Sequence, residues 1–146
     1  MKLYVLFGIP ASGKTSLSHR LVRQYGFKVH SYDDTYMNMR GHCSSSEIKK
    51  QWIEAIKSDL LLEHDVVCDC MCLKLEIRRW ILNQLVNIPC HKILIIIPTS
   101  VEECVIRNSK RDNATRVSEN YIRALAKYMQ PPTKDEGWDE ILIYKD

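Results

Sequence analysis

Eight residues near the N-terminus constrain this chain more than any other feature. Residues 8–15 read Gly-Ile-Pro-Ala-Ser-Gly-Lys-Thr, a complete G-x-x-x-x-G-K-[ST] motif. A short apolar run, Leu3 to Phe7, precedes the motif, and an amphipathic segment, Ser16 to Tyr25, follows it. A strand that passes through this motif into a helix turns successive backbone N–H groups toward an anion. The sequence therefore predicts a phosphate-binding loop between its first strand and its first helix.

The same motif predicts the ligand of the loop. Lys14 is placed to reach the β- and γ-phosphates of a nucleoside triphosphate, and Thr15 offers its hydroxyl to Mg²⁺. ATP and Mg²⁺ are thus the predicted cofactors. The predicted nucleotide-binding residues in and beside the loop are Gly8, Pro10, Ala11, Ser12, Gly13, Lys14, Thr15 and Ser16.

Short apolar runs alternate with longer amphipathic segments along the rest of the chain. The runs predict strands at Leu3 to Phe7, Lys28 to His30, Val66 to Cys70, Ile93 to Ile97 and Ile141 to Tyr144. Three- and four-residue apolar spacing predicts helices at Ser16 to Tyr25, Ser46 to Leu62, Lys74 to Val86, Val101 to Asn108 and Ser118 to Met129, with Ser46 and Ser118 as N-caps. This alternation is typical of a three-layer α/β fold with a five-stranded, mainly parallel sheet.

Length and composition indicate an ordinary globular domain. The 146 residues are 45% hydrophobic and 27% charged, so we expect residues 1–146 to form one domain. No apolar stretch approaches the length of a membrane span or of a signal-peptide core, and we expect a cytoplasmic protein. The net charge of +3 is compatible with an anionic substrate without indicating which one.

Three of the six cysteines alternate along the third predicted strand. Cys68, Cys70 and Cys72 lack the C-x-x-C spacing of a zinc knuckle, and sulfurs on one side of a strand lie roughly 6.7 Å apart. A metal site that includes His64 is the alternative to reduced, buried thiols. The spacing favours small buried hydrophobes.

Carboxylates follow the second and third predicted strands. Open α/β sheets bind ligands at the carboxyl ends of their strands, where Asp33 and Asp69 fall. Asp33 is a candidate to accept the proton of an attacking hydroxyl, and Asp34 is its rival because neighbouring strand residues point in opposite directions. Asp69 is a candidate to hold Mg²⁺ directly or through one of its waters. The alternative is that the aspartates only form turns or cap helices.

A basic pair marks the end of the fourth predicted helix. Arg107 and Arg111 are four residues apart, a spacing that predicts one helix face from which both could close over a triphosphate. We expect a lid segment at about 107–117; the alternative is that these cations only complement the helix dipole. The same two alternatives, a phosphate contact or a surface cation, apply to Arg78 and Arg79. We predict that one of them contacts substrate phosphates and that the other is solvated. The segments 37–46 and 109–116 are predicted to be irregular.

Taken together, these motifs resemble the kinase domain of polynucleotide 5'-hydroxyl kinases, over nearly the whole chain. The matching features are the Gly-x-Pro-x-Ser-Gly-Lys-Thr loop, Asp33-Asp34, Asp69 with Arg78-Arg79 downstream, Arg107-Asn108-x-x-Arg111, and the ending Pro132-Thr133-x-x-Glu136-Gly137-Trp138. The resemblance implies a P-loop kinase fold.

The resemblance also implies roles for individual residues. Lys14 and Thr15 would serve ATP and Mg²⁺, Asp33 would be the general base, Asp69 the metal-side carboxylate and Arg111 the lid arginine. The reaction implied is transfer of the γ-phosphate of ATP to a 5'-hydroxyl end of RNA or DNA.

The chain departs from the family pattern on the acceptor side. Tyr36 stands where some members have an arginine, so that Arg40 is the nearest arginine, and Asp69-Cys70-Met71 replaces the usual Asp-x-Asn. We expect Asp33, Asp34, Arg40 and Arg79 to contact the substrate. A phosphatase or ligase partner would be on a separate chain. Two alternatives stay open: a kinase of the same fold that acts on a sugar, nucleoside or antibiotic hydroxyl, and a nucleotide-gated interaction module without kinase activity.

Overall fold

The computed structural model describes residues 1–145, which form a five-stranded parallel sheet flanked by helices. The strands are β1 (Lys2–Phe7), β2 (Lys28–Ser31), β3 (Val66–Asp69), β4 (His91–Ile96) and β5 (Glu140–Ile143). Their order is β2-β3-β1-β4-β5, and each neighbouring pair is parallel. The phosphate loop thus follows the central strand, and the ends of β2, β3 and β4 lie along the same edge of the sheet. The predicted α/β fold with a parallel sheet is confirmed.

The helices are α1 to α6 in chain order. Their bounds are α1 Lys14–Tyr25, α2 Tyr32–Met39, α3 Ser45–Leu61, α4 Leu75–Gln84, α5 Val101–Ser109 and α6 Glu119–Tyr128, with a 3₁₀ turn at Lys134–Glu136. The five predicted helices are present with small shifts at their ends. None of the helices among residues 1–145 combines the length and apolar character needed to cross a bilayer.

Alternate residues of β1 pack into two cores on opposite faces of the sheet. Val5 joins the larger core, which holds the apolar faces of α3, α4, α5 and α6. Leu6 joins the smaller core beside Leu17 of α1. A central strand that is buried on both faces is apolar throughout, because neither face can be left to solvent. Cys68 and Cys72 are buried in the larger core, as predicted for small hydrophobes.

The segment after β2 differs from the prediction. Residues 32–39 form α2, where the sequence analysis placed the end of a strand and then irregular chain. Ser31 caps α2 by accepting a hydrogen bond from the Asp34 N–H, and Asp33 and Asp34 occupy the first turn, where carboxylates favour the helix dipole. No residue of α2 is fully buried, so the helix lacks the strongly apolar face by which the longer helices were predicted.

The prediction of Ser46 as the N-cap of α3 was also wrong. Ser44, two residues before the predicted Ser46, accepts a hydrogen bond from the Glu47 N–H. A run of three serines offers the same side chain at each position, so sequence cannot say which one caps the helix. Ser118 caps α6 as predicted and accepts from the Tyr121 N–H.

Candidate active site

The phosphate loop is a tight turn held by its own backbone. The Ser12 N–H donates to the Ile9 carbonyl at 3.2 Å, and Ala11 and Gly13 both adopt positive φ, at 67° and 109°. A side chain at Gly8 would place its Cβ 2.5 Å from Ser12 Oγ, so this position has no room for one. The Thr99 hydroxyl donates to the Ser12 carbonyl at 2.7 Å and ties the loop to the end of β4.

Lys14 lies folded back over the loop that precedes it. Its Nζ donates to the carbonyls of Gly8 at 2.8 Å and Ile9 at 2.9 Å. Burial lowers the pKa of Lys14, and the nearby Asp69 carboxylate partly offsets that effect. A buried ammonium that is held by two neutral carbonyls is suited to binding the charged oxygens of a phosphate.

Thr15 and Asp69 meet beside this lysine. The Thr15 hydroxyl donates to Asp69 Oδ2 at 3.0 Å across the gap between α1 and the end of β3. Asp69 is buried, which raises the pKa of its carboxyl group, while the Thr15 bond and the Lys14 charge oppose that rise. A hydroxyl and a carboxylate side by side supply the oxygen ligands that Mg²⁺ prefers, so these two residues fit that ion.

The loop also contains an unsatisfied polar atom. Among residues 1–145, the hydroxyl oxygen of Ser12 is the one buried side-chain nitrogen or oxygen without a hydrogen-bond partner. Such an atom usually costs stability unless a ligand or water satisfies it. Its position in the loop fits a phosphate ligand.

Asp33 and Asp34 lie near this cluster but in a different setting from the predicted strand end. Both are exposed residues in the first turn of α2. Burial is the largest cause of the raised pKa of Asp69, and Thr15 and Lys14 oppose it. The negative charges of Asp33 and Asp34 raise that pKa further, by a smaller amount. The charge of Asp33 acts on Lys14 as well. Of the two rivals, Asp33 is therefore the one coupled to both buried groups.

A cleft of about 810 Å³ opens on one side of the loop. Its walls include Ala11, Ser12, Gly13 and Ser16, the Pro98 to Ser100 segment after β4, and the side chains of Arg20, Glu103, Arg107, Arg111 and Tyr144. Neither Asp33 nor Asp69 lines it. The volume is within the ordinary range for small-molecule sites and suits a nucleotide whose phosphates enter the loop.

Arg107 and Arg111 both line this cleft, but they do not share a helix face as predicted. α5 ends at Ser109, so Arg111 lies beyond the helix in the turn that follows. Arg107 Nη1 donates to the Ser12 carbonyl at 3.3 Å, and its Nε bonds Glu103 at 3.1 Å. Arg107 thus contacts the phosphate loop directly, whereas the backbone N–H of Arg111 donates to the Asn108 carbonyl at 3.1 Å.

Asn108, which was named in the Arg107-Asn108-x-x-Arg111 motif without a predicted role, holds the ends of the lid segment (107–117) together. Its Nδ2 donates to the Val117 carbonyl at 2.6 Å, and its Oδ1 accepts from the Val117 N–H at 3.0 Å. Arg116 then donates twice to the Arg111 carbonyl, at 3.1 and 2.8 Å. Asn108 is buried four residues after the buried Cys104, so a polar residue on the core side of α5 was the available signal.

Arg78 is neither a substrate contact nor a solvated residue. Its guanidinium pairs with Glu136 at 2.8 and 3.1 Å and donates to the Cys72 carbonyl at 2.9 Å, with side chains only 1% and 3% exposed. Glu136 also accepts from the Thr133 N–H and from Trp138 Nε1. The tail motif is therefore an anchor that joins the C-terminal turn to α4.

The remaining predicted substrate residues lie apart from the loop. Arg40 is exposed and ends α2 as its C-cap, where its N–H donates to the Tyr36 carbonyl. Arg79 is exposed on α4 and lines a second groove. The structure thus brings Thr15 and Asp69 into contact near Lys14, places Arg107 and Arg111 in the adjoining cleft, and leaves Arg40 and Arg79 on the surface.

Proteins of known structure share this arrangement of strands and helices. A chain in the Pnkp1/Rnl/Hen1 RNA repair complex superposes with a TM-score of 0.76 at 20% identity, covering 86% of this chain and 43% of that chain. A sugar kinase from Janibacter sp. superposes with a TM-score of 0.70 at 18% identity, covering 98% of this chain and 85% of that one. At these identities the likeness is one of fold.

A curated relative and a family model match the sequence itself. The adenylate kinase of Wolbachia pipientis subsp. Culex pipiens (strain wPip) is 31% identical over 70 residues, which are 48% of this chain. Those residues span about a third of the relative, 32% of its length. The model of the AAA domain family matches residues 3–132, from β1 through the segment after α6. The motif-based expectation of a P-loop kinase fold is thereby confirmed, and the chain belongs to the AAA domain family of P-loop proteins.

Proposed function

We propose that this protein is an ATP-dependent kinase that transfers the γ-phosphate of ATP to the 5'-hydroxyl end of RNA or DNA. The observation that carries the proposal is the position of the exposed Asp33 in α2, directly after β2, because β2 lies on the opposite side of β1 from β4 and the cleft beside it. An acceptor group can therefore approach from solvent on the side opposite the nucleotide. An open approach suits the end of a polymer, whereas a small metabolite is usually enclosed.

The residues divide the reaction between them. Asp33 takes the proton of the 5'-hydroxyl as its oxygen forms a bond to the γ-phosphorus, and the bond from that phosphorus to the bridging β–γ oxygen breaks to release ADP. Lys14 binds the β- and γ-phosphates. Arg107 and Arg111 stabilise negative charge on the phosphoryl group from the side of the cleft.

Thr15 and Asp69 would hold Mg²⁺ with the phosphates of ATP. Their oxygens are adjacent, and Asp69 is buried at the end of β3 beside the phosphate loop. When bound, the ion neutralises charge on the β- and γ-phosphate oxygens. Any phosphatase or ligase that acts on the same nucleic-acid ends would be on a separate chain.

A transfer assay with radiolabelled ATP tests the proposal. The acceptors are 5'-hydroxyl oligonucleotides of RNA and of DNA, set beside a pool of sugars, nucleosides and aminoglycosides, with Lys14→Ala as the inactive control. We expect label on the oligonucleotide ends and none with the control variant. Label on a metabolite alone would replace the proposal with the small-molecule kinase, and ATP binding without any transfer would favour the interaction module.

A further inference from the structure

A second groove, of about 710 Å³, runs along the start of α4. We call it the α4 groove and define it by Lys74, Arg79, Trp80 and Gln130, which line it. Gln130 braces its rim, because its N–H donates to the Leu73 carbonyl and its side-chain oxygen accepts from the Leu75 N–H, both at 2.8 Å. Nothing in the proposed chemistry so far uses this groove.

Cations and aromatic rings are paired along the α4 groove. Lys49 Nζ lies 4.2 Å from the centre of the half-buried Trp80 ring. At the rim, Lys74 Nζ lies 5.7 Å and Lys127 Nζ 5.5 Å from the ring of Tyr128, which is 59% exposed. Rings flanked by ammonium groups are the surface that single-stranded nucleic acid uses, because bases stack on the rings and phosphates meet the cations.

The charge balance of the groove favours an anion. Glu76 lines it. Hydrogen bonds from the Thr133 hydroxyl and from backbone lower the pKa of Asp135, and the positive charge of Arg79 adds to that effect. Two cations, Lys74 and Arg79, line the groove. Two more lie over neighbouring aromatic rings, Lys49 over Trp80 and Lys127 over Tyr128. The excess of positive charge attracts a polyanion and repels a cationic partner.

The groove is also within reach of the proposed reaction centre. Lys74 comes five residues after Asp69, and five residues span at most about 17 Å even when fully extended. That distance corresponds to about five stacked nucleotides at 3.4 Å each. A strand whose 5' end reached Asp33 and Asp69 could therefore contact the groove with its next few nucleotides.

We propose that the α4 groove binds the acceptor strand downstream of its 5' end, stacking a base on Trp80 and holding phosphates with Lys49, Lys74 and Arg79. This inference rests on the proposed function. The groove would then make the protein prefer a strand to an isolated nucleotide, although the reacting hydroxyl is the same.

Acceptor kinetics test the groove against a short substrate. The acceptors are a single-stranded 5'-hydroxyl decanucleotide and a nucleoside 3'-monophosphate. The proteins compared are the wild type, Trp80→Leu, Trp80→Phe and the double variant Lys49→Gln/Arg79→Gln. Arg23→Gln, an exposed change on α1, is the control. We expect Trp80→Leu to raise the decanucleotide KM by about fivefold or more, the effect of losing one stacked base, while Trp80→Phe keeps most of the affinity. The double variant should lower the slope of log affinity against log salt by about 1.4, or 0.7 for each phosphate that is no longer neutralised.

Direct binding separates a failure of the groove from a failure of the proposed function. Fluorescence anisotropy of a labelled decanucleotide needs no phosphoryl transfer, and the double variant changes surface side chains, so its fold is checked simply by its thermal midpoint. If no oligonucleotide is phosphorylated but strand binding is lost in the double variant, the groove stands and the kinase assignment falls. A wild type that binds no strand, or variants with wild-type KM and salt slope, would overturn the groove.

Discussion

Burial acts in opposite directions on the two charged groups at the centre of the site. It lowers the pKa of Lys14 and raises the pKa of Asp69, because each charge loses hydration in the same enclosed space. Their mutual attraction offsets only part of that cost. Asp33, by contrast, is exposed. The proposed function uses this difference, since it assigns the buried groups to the nucleotide and the exposed carboxylate to the acceptor.

The first prediction concerns Asp33. Asp33→Asn should reduce kcat by about 10²- to 10⁴-fold, the usual contribution of a general base, while ATP binding changes little because Asp33 lies in α2 and not in the phosphate loop. Single-turnover transfer and ATP titration measure the two quantities. Asp34→Asn is the matched control, since both residues are exposed in the first turn of α2. If Asp34→Asn were the inactive variant, the base would be the other aspartate.

The second prediction concerns Arg111. Arg111→Ala should lower kcat by about 10³-fold or more if the guanidinium meets charge that develops on the transferring phosphoryl group. Arg111→Lys should recover only part of the rate, because an ammonium lacks the planar pair of donors. The measurement is kcat for both variants, with thermal midpoints recorded alongside. A loss of rate that followed unfolding would reduce Arg111 to a cation near a helix end.

The lid segment depends on one buried amide, although six of its residues between Ser109 and Val117 are exposed. Asn108 bonds both backbone groups of Val117, so it closes the loop that carries Arg111. We predict that Asn108→Ala lowers kcat by loosening Arg111, and lowers stability by about 1–3 kcal/mol because two partly buried backbone groups of Val117 lose their partners. Kinetics and chemical denaturation give the two values.

A double-mutant cycle shows whether Asn108 acts through Arg111. If it does, Asn108→Ala should cost little further rate in an Arg111→Ala background. Asn113→Ala, an exposed change in the same loop, is the control and should leave rate and stability near wild type. Fully additive losses of rate would mean that the bonds between Asn108 and Val117 do not act through Arg111.

At the scale of the whole molecule, the buried ion pair between Arg78 and Glu136 fixes the C-terminal segment to the rest of the fold. It joins α4 to the turn before β5, across 58 residues of chain, with both side chains almost fully buried. We predict that Glu136→Ala destabilises the protein by about 3–5 kcal/mol, since the Arg78 charge would stay buried without its partner. Chemical denaturation measures the loss, and Glu140→Ala, an exposed acid on β5, is the control. An unfolding free energy close to wild type would contradict the anchor.

The same pair predicts a dependence of stability on pH. Burial alone would raise the pKa of Glu136, but hydrogen bonds from Arg78, Thr133 and Trp138 bring it below its usual 4.5. A group with a lowered folded-state pKa stabilises the fold above its unfolded pKa, and that contribution is lost as pH falls through the folded value. Unfolding free energies measured from pH 6 downward should therefore decline less steeply in Glu136→Gln than in wild type. Identical slopes would exclude this carboxyl group as a source of acid sensitivity.

The local sequence was sufficient to predict the phosphate loop, the strands, most of the helices and the parallel sheet. The loop motif must sit between a strand and a helix, and an apolar run such as Leu3 to Phe7 must be buried on both faces wherever the strand lies. These features depend on neighbours along the chain or on total burial. They were accordingly predicted with only small errors at the ends of elements.

The remaining features depend on contacts between residues that are distant in sequence. Arg78 and Arg79 are adjacent and identical, yet one is buried against Glu136 and the other is exposed beside the α4 groove, because only the packing of α4 distinguishes its faces. No residue of α2 is fully buried, and the role of Asn108 requires the partner Val117 nine residues away. Such features follow from which surfaces the folded chain brings together, and a linear pattern does not contain that information.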